Sequence, residues 1–211
     1  MDHWTTIAAE RRALADQLEA LTDAQWATPS LCDGWTVHDV AAHLAGVNLI
    51  KMSEVVVALA RSRFSFARAN RVMVARQAAR PSAEIVADLR RLADGRFAPP
   101  GLGSVAPLTD ILVHGQDIRI PLGLATDRPV QPWRDSLDFL VTKKARRGFV
   151  GKALPGLRFS ATDLDWSHGE GAGNEVSGPA IAVALALLGR PALVDQLEGP
   201  GTPALKEWLT R

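Results

Sequence analysis

Two helix-ready segments of this chain carry metal-ligating side chains on otherwise apolar faces: Thr36-Val-His-Asp-Val-Ala-Ala-His43, and Asp110-Ile-Leu-Val-His114 followed by Gly-Gln-Asp117. Polar groups set against apolar neighbours cost free energy unless something binds them. That constrains the fold. The two helices have to meet so that their polar groups share a partner, and the sequence therefore predicts a helical bundle with a divalent-metal site.

Helical phasing runs through most of the first 150 residues. From Trp4 to Leu21, Ile7, Ala8, Leu14, Leu18 and Leu21 recur at three- and four-residue steps. A turn-rich stretch with Pro29, Ser30, Asp33 and Gly34 leads to Thr36, an N-cap with Asp39 three residues on, a shortened capping box. A second helix is expected from there towards Ser62, a third over Arg63 to Ala79, and a fourth opened by Pro81-Ser82 and ended at Gly95. After a loop rich in Pro and Gly, a fifth starts near Leu108 and is closed by Pro121 and Gly123. A sixth spans Gln131 to Arg147, with Gly148 as its stop. The texture then changes to short alternating segments at Leu157 to Ala161, around Trp166 and around Val176, and an apolar helix from Pro179 to Gly189. The expected fold is mostly α. An up-and-down bundle of four main helices occupies residues 1–150, and a small α/β module occupies 151–211, with the boundary near 148–156.

Charge and cysteine content narrow the function classes. A net charge of +1 over 211 residues provides no field to gather nucleic acid or an acidic membrane surface, so a small-molecule partner is expected. Cys32 is the one cysteine, which excludes an internal disulfide and any Cys-Cys zinc motif and fits a reducing cytoplasm. Met1 to Thr6 does not read as a secretion signal. The longest apolar stretch, Ala180 to Leu188, falls short of the roughly 20 residues that span a bilayer. A soluble cytoplasmic monomer or homodimer is expected.

Residues four apart share a helix face, so Asp110 and His114 can address one ion, with Asp117 one turn further along. On the second helix Val40, Val47 and Ile50 flank His43 and set its imidazole against the core. Two imidazoles and a carboxylate suit a borderline metal such as zinc and leave positions open for water or substrate. Asp117 is placed to accept a ring N–H and fix its orientation. The same residues also allow a metal-free module in which the polar stripe makes only buried hydrogen bonds.

Ser30-Leu-Cys-Asp-Gly-Trp-Thr-Val-His-Asp-Val-Ala-Ala-His-Leu44 and Leu112-Val-His-Gly-Gln-Asp-Ile-Arg119 resemble the mycothiol-dependent maleylpyruvate isomerase family, part of the wider DinB-like metal-binding helical bundles. Arg68-Ala-Asn-Arg71 through Pro81-Ser-Ala-Glu84 matches more loosely, and Val176 to Arg190 is similar to the family's C-terminal module. The resemblance implies a metal, commonly zinc, held by His43, Asp110 and His114. The isomerases carry Glu at the position of Asp110, whose shorter arm would draw the ion closer or leave a bridging water. It also implies mycothiol as thiol cofactor. Coordination favours its thiolate, which adds to an activated double bond and is expelled again in an isomerase, or stays attached in an S-transferase.

Arginines complete the expected site. Arg68 and Arg71, with Arg76 and Arg80, lie on the third helix, and Arg68 and Arg71 are the cofactor-binding candidates. Arg119, beside the polar stripe, and Arg190, after the last apolar helix, are the catalytic candidates, with a helix-fixing salt bridge as the other reading of Arg119. Cys32 precedes a helix N-terminus but has no assignable basic partner, so packing is its expected role. Lys143 to Arg147 reads as a solvated helix end, and His3, His38 and His168 as surface residues. The expected activity is metal-dependent and thiol-using, acting on a small electrophile by isomerisation or S-transfer. The alternative is a non-catalytic metal-binding or sensing bundle.

Overall fold

The computed structural model describes residues 2–49, 52–63, 66–126, 128–146 and 153–210. It forms two compact units, Asp2–Thr126 and Asp127–Arg211.

The first unit contains α1 (His3–Glu19), a short α2 (Asp23–Trp26), α3 (Val37–Gly46), α4 (Met52–Arg61), α5 (Phe66–Ala78), α6 (Ser82–Arg91) and α7 (Val105–Leu122). Helices α1 and α3 each pack against both α6 and α7, which makes these four the bundle; α5 lies against α3 and α4. Ile7, Leu14 and Leu18 of α1, Val37 and Val40 of α3, Ile85 of α6 and Leu108 and Ile118 of α7 are fully enclosed. Each such side chain contributes about 1.5–3 kcal/mol through burial.

The cap expected at Thr36 is present: its Oγ1 accepts from Asp39 N at 3.2 Å while Asp39 Oδ2 accepts from Thr36 N at 2.8 Å. The second helix does not run on to Ser62. It stops at Gly46, and a separate helix starts at Met52. Contacts distant in sequence surround the break. A Cβ at Gly46 would lie 2.9 Å from the Gln77 side chain, and Asn48 turns its amide oxygen to the Arg11 guanidinium, 3.2 Å away.

Ion pairs gather around the buried Asp88 of α6, from Arg80 just before the helix and from Arg91 at its end. Asp88 accepts from Arg80 at 2.6 Å and from Arg91. Burial pushes the Asp88 carboxyl up, but hydrogen bonds and charge from Arg91 and Arg80 outweigh it and leave the group below its ordinary value. A carboxyl depressed in the folded state binds fewer protons there than when unfolded. Its stabilisation is therefore complete above the unfolded pKa, about 4, and is lost as pH falls through the lower folded value. Urea titrations from pH 5 to 2 should show this loss, and Asp88→Asn should flatten it.

The second unit holds α8 (Pro132–Leu140), α9 (Lys143–Ala145), β1 (Arg158–Ala161), β2 (Ser167–His168), β3 (Glu175–Gly178), α10 (Ala180–Leu187), a 3-10 turn at Val194–Gln196 and α11 (Thr202–Thr210). The strand order is β2-β1-β3, with β1 antiparallel to β2 and parallel to β3, Phe159 facing His168 on one side and Val176 on the other. The expected sixth helix ends at Leu140. Its proposed last residue, Arg147, and its stop, Gly148, lie outside the described residues. The division at 126/127 places α8, which buries Trp133, Leu137 and Leu140 and packs on α10, in the second unit. Among the described residues no helix is long and apolar enough to cross a membrane.

Candidate metal centre

Helix α7 carries the site on one face. His114 follows Asp110 by one turn, and both meet His43 of the neighbouring α3. His43 Nε2 lies 3.3 Å from Asp110 Oδ1, and His114 Nε2 lies 3.6 Å from the same oxygen. The two imidazole centroids are 5.0 Å apart, and all three side chains are half-buried. A tetrahedral ion with bonds of about 2.0–2.1 Å holds its ligand atoms roughly 3.3–3.4 Å apart. These residues fit such an ion, with the shorter Asp110 reaching ligand spacing from both rings, and three protein ligands leave a position open.

The electrostatics suit a cation. Burial pushes the Asp110 carboxyl up, but the charge and hydrogen bond of His43 and the charges of His114 and Arg11 outweigh it, leaving the group below its ordinary value. Asp110 is therefore anionic at neutral pH.

Asp117 stands behind His114. It is wholly buried, and its Oδ2 lies 2.8 Å from His114 Nδ1, a carboxylate placed to accept that ring N–H, so that Nε2 is the nitrogen which would face an ion. Cys32 Sγ donates to that same Oδ2 at 3.0 Å and lies 3.5 Å from His114 Nδ1. Cysteine and Asp117 are 85 residues apart, so spacing on one helix could not reveal the contact.

The loop that delivers Cys32 is built from the Ser30-Leu-Cys-Asp-Gly-Trp35 motif. Trp35 N donates to Cys32 O at 3.0 Å across a turn in which Gly34 has φ +73°, a left-handed conformation that favours glycine. Ser30 N and Oγ both donate to Trp35 O, at 2.9 and 2.8 Å. Pro121 then explains how the loop is held to α7. Having no N–H, proline cannot bond the carbonyl four residues back, which is that of Asp117. Leu31 N donates to this freed carbonyl at 3.2 Å. Trp35 lies over the centre, its ring 5.6 Å from His43 and 6.3 Å from His114 between centroids, the latter nearly parallel at 25°. It forms an apolar wall beside the candidate ligands.

The arginine candidates belong to three different parts of the chain. Arg119, read as catalytic, is 1% exposed; its Nε donates to Gln17 Oε1 at 2.7 Å and its Nη2 lies 3.6 Å from Glu10 Oε2. At 100° per residue it is turned about 180° from Asp110, towards α1. The salt-bridge reading is the one the geometry supports, and Arg119 is withdrawn from the site. Gly115 makes room for it: a Cβ there would lie 2.7 Å from Arg119 Nη1. Arg68 and Arg71 are exposed on α5. Arg190 belongs to the second unit, where its backbone N–H bonds to Leu185 O at 2.9 Å and closes α10. His3 and His38, expected at the surface, pair with Ser104 Oγ at 3.0 Å and with the Trp26 ring at 5.5 Å.

Comparison with solved structures supports the same architecture. A crystal structure of a mycothiol-dependent maleylpyruvate isomerase superposes with a TM-score of 0.59 at 15% identity, covering 93% of this chain and 90% of that one. A histidine-to-alanine mutant of such an isomerase gives 0.57, at the same identity and coverage. Comparison with curated proteins finds no significant match. The family model for the mycothiol maleylpyruvate isomerase N-terminal domain matches residues 7–119, a stretch that includes Cys32, Trp35, His43, Asp110, His114 and Asp117. That match spans more than half of the chain, which therefore belongs to the mycothiol maleylpyruvate isomerase N-terminal domain family.

Proposed function

We propose that this chain is a metal-dependent enzyme that uses a low-molecular-weight thiol, mycothiol, to isomerise a small electrophile or to become attached to it through sulfur. The observation that carries the reading is the approach of His43 Nε2, Asp110 Oδ1 and His114 Nε2 at ligand spacing on two facing helices.

In this reading His43, Asp110 and His114 hold a divalent ion, zinc by the chemistry of the donor set. A bound ion of this kind favours thiolate over thiol at neutral pH and so supplies a nucleophilic sulfur. The remaining roles belong to the chain. Asp117 holds the proton on His114 Nδ1 and keeps Nε2 free for coordination. Trp35 shields one side of the centre and presents an apolar surface to a substrate. Arg68 and Arg71, solvent-facing on a helix that packs on α3, are the proposed contacts for polar groups of the thiol.

The test combines purified protein, mycothiol and an unsaturated oxo-acid such as maleylpyruvate. Turnover should require the thiol, fall to background after chelation and return on adding zinc. Protein that binds zinc and gains thermal stability, yet leaves both thiol and electrophile unchanged, would instead be the non-catalytic binding module.

A further inference from the structure

Two groups of side chains share His114, and their separations differ in length; the His43–Asp110 contact is itself within hydrogen-bond reach, and Cys32 Sγ stands 3.5 Å from His114 Nδ1. The set of His43, Asp110 and His114 has contacts of 3.3 and 3.6 Å, the spacing of ligands around one ion. The set of Cys32, His114 and Asp117 has 2.8 Å between Nδ1 and Oδ2 and 3.0 Å between Sγ and Oδ2. Around a tetrahedral zinc, a sulfur bonded at about 2.3 Å and an oxygen at about 2.0–2.2 Å would stand roughly 3.5 Å apart. The shorter values are hydrogen-bond distances. At 3.0 Å, Cys32 Sγ stands as a hydrogen-bond donor to Asp117 Oδ2.

We propose that Cys32 is a positioning residue whose thiol, by donating to Asp117 Oδ2, fixes the carboxylate that aims His114 Nε2 at the metal. The inference rests on the metal reading above. Three features place the sulfur there independently of packing alone. Asp117 is wholly buried, so its carboxylate takes its orientation from protein groups. Both donors converge on one oxygen, which makes rotation of the carboxylate cost two bonds. The Cys32 loop is tied to the backbone of Asp117 itself through Leu31, at the carbonyl that Pro121 leaves open.

Cobalt(II) titration of the full chain against a competing chelator, without added thiol, tests this. Wild type should bind one ion with a ligand-field spectrum that lacks a near-ultraviolet sulfur-to-cobalt charge-transfer band. Cys32→Ala should weaken cobalt binding about tenfold and alter the ligand-field bands, as loss of an outer-shell partner does. Cys32→Ser, which keeps a donor, should return affinity to within about threefold of wild type. Cys32→Val, close in size and without a donor, replaces the alanine variant should that one fail to fold, and should show the same weakening. Affinity and spectrum unchanged in the donor-less variants would overturn the positioning role. A charge-transfer band in wild type that Cys32→Ala abolishes would make Cys32 a ligand and also overturn it. Wild-type protein that takes up no cobalt overturns the metal reading and this inference with it.

Discussion

Replacing His114 with alanine should cost the protein its metal and part of its stability together. His114 is one of three groups at ligand spacing, and its Nδ1 also donates to a carboxylate with no solvent exposure. Deleting a ligand should lower affinity by more than the roughly 10–100-fold associated with outer-shell partners. Depriving buried Asp117 of a donor should lower the stability of the metal-free chain by about 1–3 kcal/mol. Zinc competition titration and urea unfolding with chelator present separate the two effects. Asp110→Ala provides the comparison on the same helix, since it deletes a ligand without touching the Asp117 bond. Retention of wild-type metal affinity in the His114 variant would remove the residue from the centre.

The second large effect concerns Arg119. Its guanidinium faces Glu10 at 3.6 Å, and the two side chains are 1% and 3% exposed. Breaking a buried pair by removing one partner typically costs about 3–5 kcal/mol, whereas replacing both by apolar groups can be neutral. Arg119→Met should therefore destabilise the chain by about 3–5 kcal/mol, and Glu10→Leu combined with Arg119→Met should recover much of that loss. Zinc affinity of the folded fraction should remain within experimental error of wild type. A variant of unchanged stability that has lost turnover would restore a catalytic role for Arg119.

The candidate ligands that the structure brings together were legible in the sequence because their grouping depends on helix periodicity and local chemistry. Asp110, His114 and Asp117 share a face of α7 by spacing, and the Thr36-Asp39 box fixes where α3 begins. Arg119 shows the same arithmetic misapplied. It neighbours Ile118 in sequence, yet nine residues from Asp110 bring it to the opposite side of the helix.

What spacing could not show was decided by contacts distant along the chain. At the end of α3, Gly46 packs closely on Gln77 and Asn48 lies beside Arg11, neighbours that helical spacing does not reveal. The grouping of α8 with α10 depends on an apolar face that has no local signature of its partner. Cys32 lacked an assignable partner because Asp117 and His114 lie more than eighty residues on. Pro121 was a readable clue, since a proline in the last turn of α7 leaves the Asp117 carbonyl open for another segment.

The most direct test of the account is an anomalous difference map from crystals grown with zinc, collected on both sides of the zinc absorption edge. The account predicts a single strong peak within bonding distance of His43 Nε2, Asp110 Oδ1 and His114 Nε2, with Cys32 Sγ remaining on Asp117. A centre without a peak, or an ion held by Cys32, His114 and Asp117 in their place, would contradict it.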